Sequence, residues 1–292
     1  MTRSLSTYSF FVLVLLSFVW GSSFILIKKA LISFDPALVG ALRISISALA
    51  FTPILIFNYT KVDWRQWKLF AAVGLTGSGI PAFMYAIAQT QIDSSISGLL
   101  NSLSPIFAMI FGVLFFKVVL SASKFFGVLM GFLGASLLML AGGGTSEGGN
   151  NLYGLFIVVG TMCYGMSVNV VKYYFQETPS LIVSAVSFFL IGPPALAYIF
   201  FSDFTHVMVT HDYAWYSLGA VAILSLVGTV ISTIIFFRLV QMSNAIFASS
   251  VAFTIPIVAL FWGYLDGEMV GIYHFLAMAM ILVGVLIIRK SR

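Results

Sequence analysis

The chain has 292 residues, of which 61% are hydrophobic and 8% charged, with a mean hydropathy of +1.09 and a formal net charge of +5. Soluble domains carry roughly a quarter charged residues, so this composition excludes a water-soluble enzyme or receptor and implies a polytopic membrane protein. Cys163 is the only cysteine, which excludes an intrachain disulfide and a thiolate metal cluster.

Apolar runs of ~20 residues fall at ten places, at 8–28, 36–57, 68–88, 95–116, 124–141, 152–171, 180–201, 214–237, 245–264 and 271–288. They consume most of the chain, and the longest gaps, 142–151 and 202–213, leave no room for a soluble domain. Function is therefore expected within the membrane. In chain order, the first span carries Trp20 near its middle, the second opens at Pro36 and holds Arg43, and the third contains Gly77, Ser78, Gly79 and Pro81. Tyr85 and Gln89 follow Pro81 at helical spacing, so all three share a face. The fourth, from Ser95 to Phe116, is too polar at its start for lipid: Ser95, Ser97, Asn101, Ser102 and Ser104 precede Pro105. It is read as one kinked helix in which Pro105 frees a carbonyl near Leu100 or Asn101 to meet a ligand. Its counterpart, Ile246 to Tyr264, carries Ser249, Ser250, Thr254 and Pro256.

The cations set the orientation. With the N-terminus inside, Arg3, Lys61, Arg65, Lys68, Lys117, Lys124, Lys172, Arg238, Arg289, Lys290 and Arg292 fall in inner segments, and only Lys28 and Lys29 in outer ones. This asymmetry predicts cytoplasmic N and C termini and an even number of crossings. The basic residues are topology signals, and no nucleic-acid partner is expected.

The chain also repeats itself. Trp20, Gly21, Ser23 and Lys28 return 144 residues later as Tyr164, Gly165, Ser167 and Lys172; Pro36 returns as Pro179. Pro105, Ile106, Ala108, Gly112 and Leu114 return 151 residues later as Pro256, Ile257, Ala259, Gly263 and Leu265. Two units of five spans, 8–141 and 152–288, follow. Because five is odd, the second enters the membrane from the opposite side. The fold expected is all-α, with ten transmembrane helices in two inverted five-helix repeats, the usual plan of secondary transporters with a site between the halves.

On Trp20, Gly21 and Lys28, Pro36 with Arg43, the segment Tyr85 to Pro105, and Pro256 to Glu268, nearly the whole chain resembles the drug/metabolite transporter superfamily and its EamA-type members. The resemblance implies a ten-helix carrier that exports amino acids or related metabolites across the cytoplasmic membrane. The sequence departs from the pattern where Phe116 and Lys117 replace the Gly-Glu pair kept as Gly267 and Glu268, and where Val186 stands opposite Arg43.

The residues expected to bind substrate are Trp20, Arg43, Tyr85, Gln89, Asn101, Ser102, Tyr164, Asn169 and Thr254. Arg43 is the only charge well inside a span, and an intramembrane charge is a functional hypothesis by default, here a clamp on a carboxylate or phosphate, with snorkelling as the alternative. Trp20 and Tyr164 lie too deep for the interfacial belts and suit stacking on a substrate or packing on neighbouring helices. Asn101 and the serines suit a polar wall or interhelical hydrogen bonds. No acid falls in a span interior, so facilitated transport or exchange is expected, with no cofactor and no metal. Partners are the bilayer and a small-molecule substrate, the protein being monomer or homodimer; a glycine pair at 127 and 131 allows close helix approach within or between chains. The rival readings are a channel and, further off, an intramembrane serine protease using Ser136 and His274.

Overall fold

The computed structural model describes residues 2–117, 122–140, 149–242 and 248–290, and among them every regular element is helical. The expected start of the 245–264 span and most of the 142–151 gap lie outside the described residues. Seven helices are long and apolar enough to cross a membrane: Phe11–Ala30, Pro36–Lys61, Trp64–Ala88, Ser94–Phe116, Asn151–Tyr174, Ser180–Phe201 and Ala214–Met242. Three shorter apolar helices, Phe125–Gly134, Ile255–Leu265 and Ile272–Gly284, occupy the other three expected places. Phe57, Phe200, Phe201 and Tyr264 are among many large apolar side chains on the outer surface, a face suited to hydrocarbon. The protein is a multi-pass membrane protein.

The first helix, α1 (Thr2–Ala30), ends on Lys28 and Lys29, cations placed at the negative end of the helix dipole. Asp35 caps α2 (Pro36–Asn58), its carboxylate accepting from the backbone N–H groups of Ala37 at 2.8 Å and Leu38 at 3.0 Å. The third span is α3 (Trp67–Gly74) and α4 (Ile80–Ala88) joined by a π-helical turn, Leu75–Gly79. The fourth is α5 (Ser94–Asn101) and α6 (Ser104–Phe116), and then comes α7 (Ala122–Leu140). The second half runs α8 (Gly154–Tyr174), α9 (Ser180–Phe201), the short α10 (Phe204–Thr210), then α11 (Ala214–Ser225) and α12 (Ser232–Met242) around a second π turn, Leu226–Ile231. It ends with a 3₁₀ turn at Ser250–Phe253, α13 (Ile255–Leu265) and α14 (Ile272–Lys290).

The two π turns begin 151 residues apart, at 75 and 226, and so do α6 and α13, at 104 and 255. Irregular backbone thus recurs at the same spacing as the sequence motifs. Packing repeats as well. Across α1 and α13, a Cβ on Gly21 would stand 2.5 Å from the Val258 side chain; across α8 and α6, a Cβ on Gly165 would stand 2.7 Å from the backbone of Phe107 and Ala108. Glycine at both places lets the helices touch backbone to side chain. The α2–α9 contact is filled by stacked Phe51 and Phe188, ring centroids 5.1 Å apart.

The glycine pair at 127 and 131 serves packing inside the chain. A Cβ on Gly284 of α14 would lie 2.5 Å from the Gly127 carbonyl and 2.8 Å from the Gly131 nitrogen, so the glycines form the α7–α14 seam.

Three prolines explain the broken spans. Pro81, Pro105 and Pro256 lack the N–H that the carbonyl four residues earlier would accept, leaving Gly77, Asn101 and Ala252. Each is answered by a serine hydroxyl: Ser78 donates to Gly77 at 2.8 Å, Ser104 to Asn101 at 2.7 Å, and Ser102 to Ala252 at 3.0 Å. The carbonyl expected to meet a ligand therefore already accepts from Ser104. The span expected as one kinked helix runs from Ser94 to Phe116, interrupted only where Ser102 and Leu103 turn between α5 and α6 with bonds to the carbonyls three residues back.

Candidate functional site

A partly open cavity of about 110 Å³ lies between the first-half spans α1, α2, α3–α4 and α5–α6 and the second-half spans α8, α11–α12 and the segment leading into α13. Its wall is built from positions that correspond in the two halves. Trp20, Ser23 and Phe24 of α1 are matched 144 residues on by Tyr164, Ser167 and Val168 of α8. Gly77, Ser78, Tyr85, Asn101 and Ser104 are matched 151 residues on by Gly228, Thr229, Phe236, Ala252 and Ile255.

Local geometry repeats with them. The Trp20 ring meets Phe236 edge-on at 4.9 Å, and Tyr164 meets Tyr85 at 5.8 Å, the same pair of positions in each half. A Cβ on Gly228 would stand 3.0 Å from the Ser23 hydroxyl, and a Cβ on Gly77 would stand 2.7 Å from the Ser167 hydroxyl. Each π turn thus presses a glycine against a serine of the opposite half, which the absence of a side chain permits.

Polarity does not repeat. The first half supplies the Tyr85 phenol, the Asn101 amide, Ser104 and Arg43, where the second has Phe236, Ala252, Ile255 and, off the wall, Val186. The Tyr85 hydroxyl donates to Asn101 Oδ1 at 2.5 Å, both side chains buried. The indole N–H of Trp20 donates to the Gly228 carbonyl at 2.9 Å, answering a backbone group of the π turn and leaving the ring face toward the cavity. Arg43 Nε donates to Thr229 Oγ1 at 3.0 Å, and Thr229 in turn donates to the Leu224 carbonyl five residues back. Arg43 points into the cavity, and among the described residues no carboxylate pairs with it.

Just beyond the cavity, one residue past its wall residue Ile27, an ion cluster joins the halves. Lys28 Nζ lies 2.8 Å from Glu268 Oε1 and 2.7 Å from Asp266 Oδ2, and Lys29 also pairs with Asp266. Glu268 caps α5 from the other half: Oε1 accepts from Ser94 N at 3.0 Å and Ser94 Oγ at 2.7 Å, and Oε2 accepts from Ser95 N at 3.0 Å. Burial opposes the charge on Glu268, but the bonds from Lys28, Ser95 and Ser94 outweigh it and hold the carboxyl below its ordinary range. Asp266 is likewise held low, burial again being outweighed by Lys28 and Lys29.

Of the residues expected from sequence, Trp20, Arg43, Tyr85, Asn101 and Tyr164 come together on the cavity wall. The other four lie elsewhere. Gln89 follows the end of α4 and borders a separate open hollow of about 490 Å³ with residues 31–36 and Thr90. Ser102 is turned to the Ala252 carbonyl, and Asn169 Nδ2 donates to the carbonyls of Ala108 at 2.7 Å and Gly165 at 2.8 Å, tying α8 to α6. Thr254 is exposed and bonds the Ser17 hydroxyl. Ser23, Ser104, Ser167, Thr233 and Phe236 also line the wall; Ser104 was visible in the polar start of its span and projecting Tyr85 by 151 residues gives Phe236, while Ser23, Ser167 and Thr233 carried no comparable signal. The protease pair is not assembled: Ser136 is exposed on α7, while His274 is buried with Nδ1 accepting from Gly271 N at 3.1 Å.

Comparison with known proteins bears on the fold and the family. The chain is 25% identical to an uncharacterized transporter of Archaeoglobus fulgidus over 140 residues, 48% of each chain, so that match spans about half of the archaeal protein. It is 23% identical to the uncharacterized inner membrane transporter YedA of Escherichia coli K12, over 94% of this chain and 88% of YedA. A protein of known crystal structure shares the fold, with a TM-score of 0.66 over 96% of both chains at 17% identity. The sequence pattern of the EamA-like transporter family matches twice, over residues 7–140 and 151–290, and the chain belongs to that family, within the drug/metabolite transporters.

Proposed function

We propose that the protein is an alternating-access carrier that exports small metabolites, amino acids or related compounds, across the cytoplasmic membrane, and is not an enzyme. Its units are 8–141 and 152–288, two inverted five-helix repeats making ten spans with both termini in the cytoplasm, and it works as a monomer or homodimer by facilitated transport or exchange. The cavity is the substrate site, with Trp20, Arg43, Tyr85, Asn101 and Tyr164 as contacts; Gln89, Ser102, Asn169 and Thr254 act on the path or on the helices around it.

The observation that carries this reading is the cavity wall drawn from corresponding positions of both halves. A site shared by two related halves is exposed to one side or the other when they rock about it. The ion cluster of Lys28, Lys29, Asp266 and Glu268 then closes the outer mouth. The test is counterflow in proteoliposomes preloaded with mixed amino acids: saturable exchange of labelled amino acid is expected. Its absence for every amino acid and related metabolite tried, or single-channel currents in planar bilayers, overturns the carrier.

A further inference from the structure

We propose that the cavity selects organic anions, a carboxylate on a small apolar or aromatic body, with Arg43 as the residue that sets this preference. The inference rests on the cavity being the substrate site of the carrier.

The wall carries one cation and no anion: beside Arg43, its polar side chains are hydroxyls, the Asn101 amide and the Trp20 indole, all neutral. Arg43 lies on the wall, and its hydrogen bond to the neutral Thr229 hydroxyl engages only the Nε–H among its donors. Asp266 and Glu268, just beyond the cavity, are paired with Lys28 and Lys29, and no Asp or Glu lines the wall. A guanidinium in a low-dielectric cavity without a counter-ion is most favourably answered by a ligand carboxylate, which its planar fork accepts through two parallel hydrogen bonds.

A second, independent observation points the same way. Ser167 is 2% exposed, lines the cavity, and its hydroxyl has no partner among the described residues. A buried hydroxyl without a bond is costly unless something else answers it. Asn101 adds to the pattern: Tyr85 occupies its carbonyl oxygen, so the part left for a ligand is the donating NH₂. A cation would meet the uncompensated positive charge of Arg43.

The remaining wall, with Phe24, Ile27 and Phe236, suits a hydrocarbon body. At ~10–15 Å³ per water on this measure, 110 Å³ holds roughly eight waters or a solute of about ten heavy atoms.

The test uses the full-length purified protein and three near-isosteric probes: phenylacetate, 2-phenylacetamide and 2-phenylethylammonium, with dissociation constants measured by calorimetry at neutral pH. Phenylacetate is expected to bind about tenfold tighter than the amide, the order of one charge-assisted pair, and the ammonium weakest. In Arg43→Gln the anion's advantage over the amide disappears while amide binding persists, which also shows the variant is folded; Arg43→Lys keeps part of the advantage. Should Arg43→Gln fail to fold, Ser167→Ala is expected to weaken phenylacetate several-fold with little effect on the ammonium. Equal or tighter binding of the ammonium, binding of none of the three, or an undiminished anion preference in Arg43→Gln overturns the inference. The two readings fail separately. Counterflow of amino acids without an anion preference removes only the anion class, whereas phenylacetate binding without counterflow of any solute removes the carrier.

Discussion

Ser102 shows how a residue chosen for its polarity serves the backbone. Its hydroxyl answers the Ala252 carbonyl that Pro256 leaves open, across the boundary between the halves. Ser102→Ala is expected to lower stability by about 1 kcal/mol, the scale of hydrogen bonds in membrane interiors. Thermal unfolding in detergent measures this, and Ser102→Thr, which keeps the hydroxyl, should retain most of it. Arg43, Trp20, Tyr85, Asn101 and Tyr164 were legible in the sequence because a charge, an amide or a polar-tipped ring in mid-span needs a partner. Asn169 and Thr254 satisfied the same criterion yet bond to neighbouring helices. Composition carries the need for a hydrogen bond but not its direction. Ser23 and Ser167 were hidden for the opposite reason: a serine in an apolar helix is ordinary.

At the scale of elements, Gly77, Gly79 and Pro81 stood out in the third span, and the structure puts a π turn there, Leu75–Gly79, and a second one at Leu226–Ile231. That these are π turns, and that each faces a serine of the other half, depends on packing that no single helix specifies. Gly77→Ala brings a methyl to 2.7 Å from Ser167 Oγ, and Gly228→Ala brings one to 3.0 Å from Ser23 Oγ. The obstacle is the end of a small side chain, so a cost of about 1 kcal/mol is expected, larger at Gly77. Ser167→Ala should recover part of it, since the nearest remaining atom is the Ser167 Cβ at 3.5 Å, an ordinary contact. A double-mutant cycle on thermal stability should therefore show coupling between 77 and 167, and additivity would contradict the contact. The kink of the fourth span was legible from Pro105; that the hydroxyls of Ser104 and Ser102 answer the carbonyls left open by Pro105 and Pro256 was not.

For the whole molecule, the repeat was readable because residues at turns and close contacts keep their spacing while lipid-facing ones drift. The ion cluster was less so: Lys28, Asp266 and Glu268 were visible as residues near span ends, but that Glu268 caps α5 across 174 positions was not. This tie makes stability depend on pH. The Glu268 and Asp266 carboxyls titrate below their ordinary range in the folded protein. They therefore contribute stability fully present above that ordinary range, which is lost as pH falls through the lowered values. Unfolding temperature should fall on acidification through the carboxylate range, and Glu268→Gln should flatten part of that fall. At neutral pH the same variant leaves Lys28 with Asp266, keeps one backbone cap bond as a neutral one and loses the other, because the amide turns an NH₂ where the second oxygen accepted, a loss of about 1–3 kcal/mol given that the Lys28 side chain is 33% exposed. If the cluster also closes the outer mouth, Glu268→Gln loosens that closed state specifically. A cysteine placed at Ile27, beside the cluster on the cavity wall, should then react faster with an impermeant thiol reagent added from outside in Glu268→Gln than in its parent, both in a Cys163→Ala background. Equal labelling rates with an unchanged acid profile would show that the cluster neither stabilises the fold nor closes the cavity.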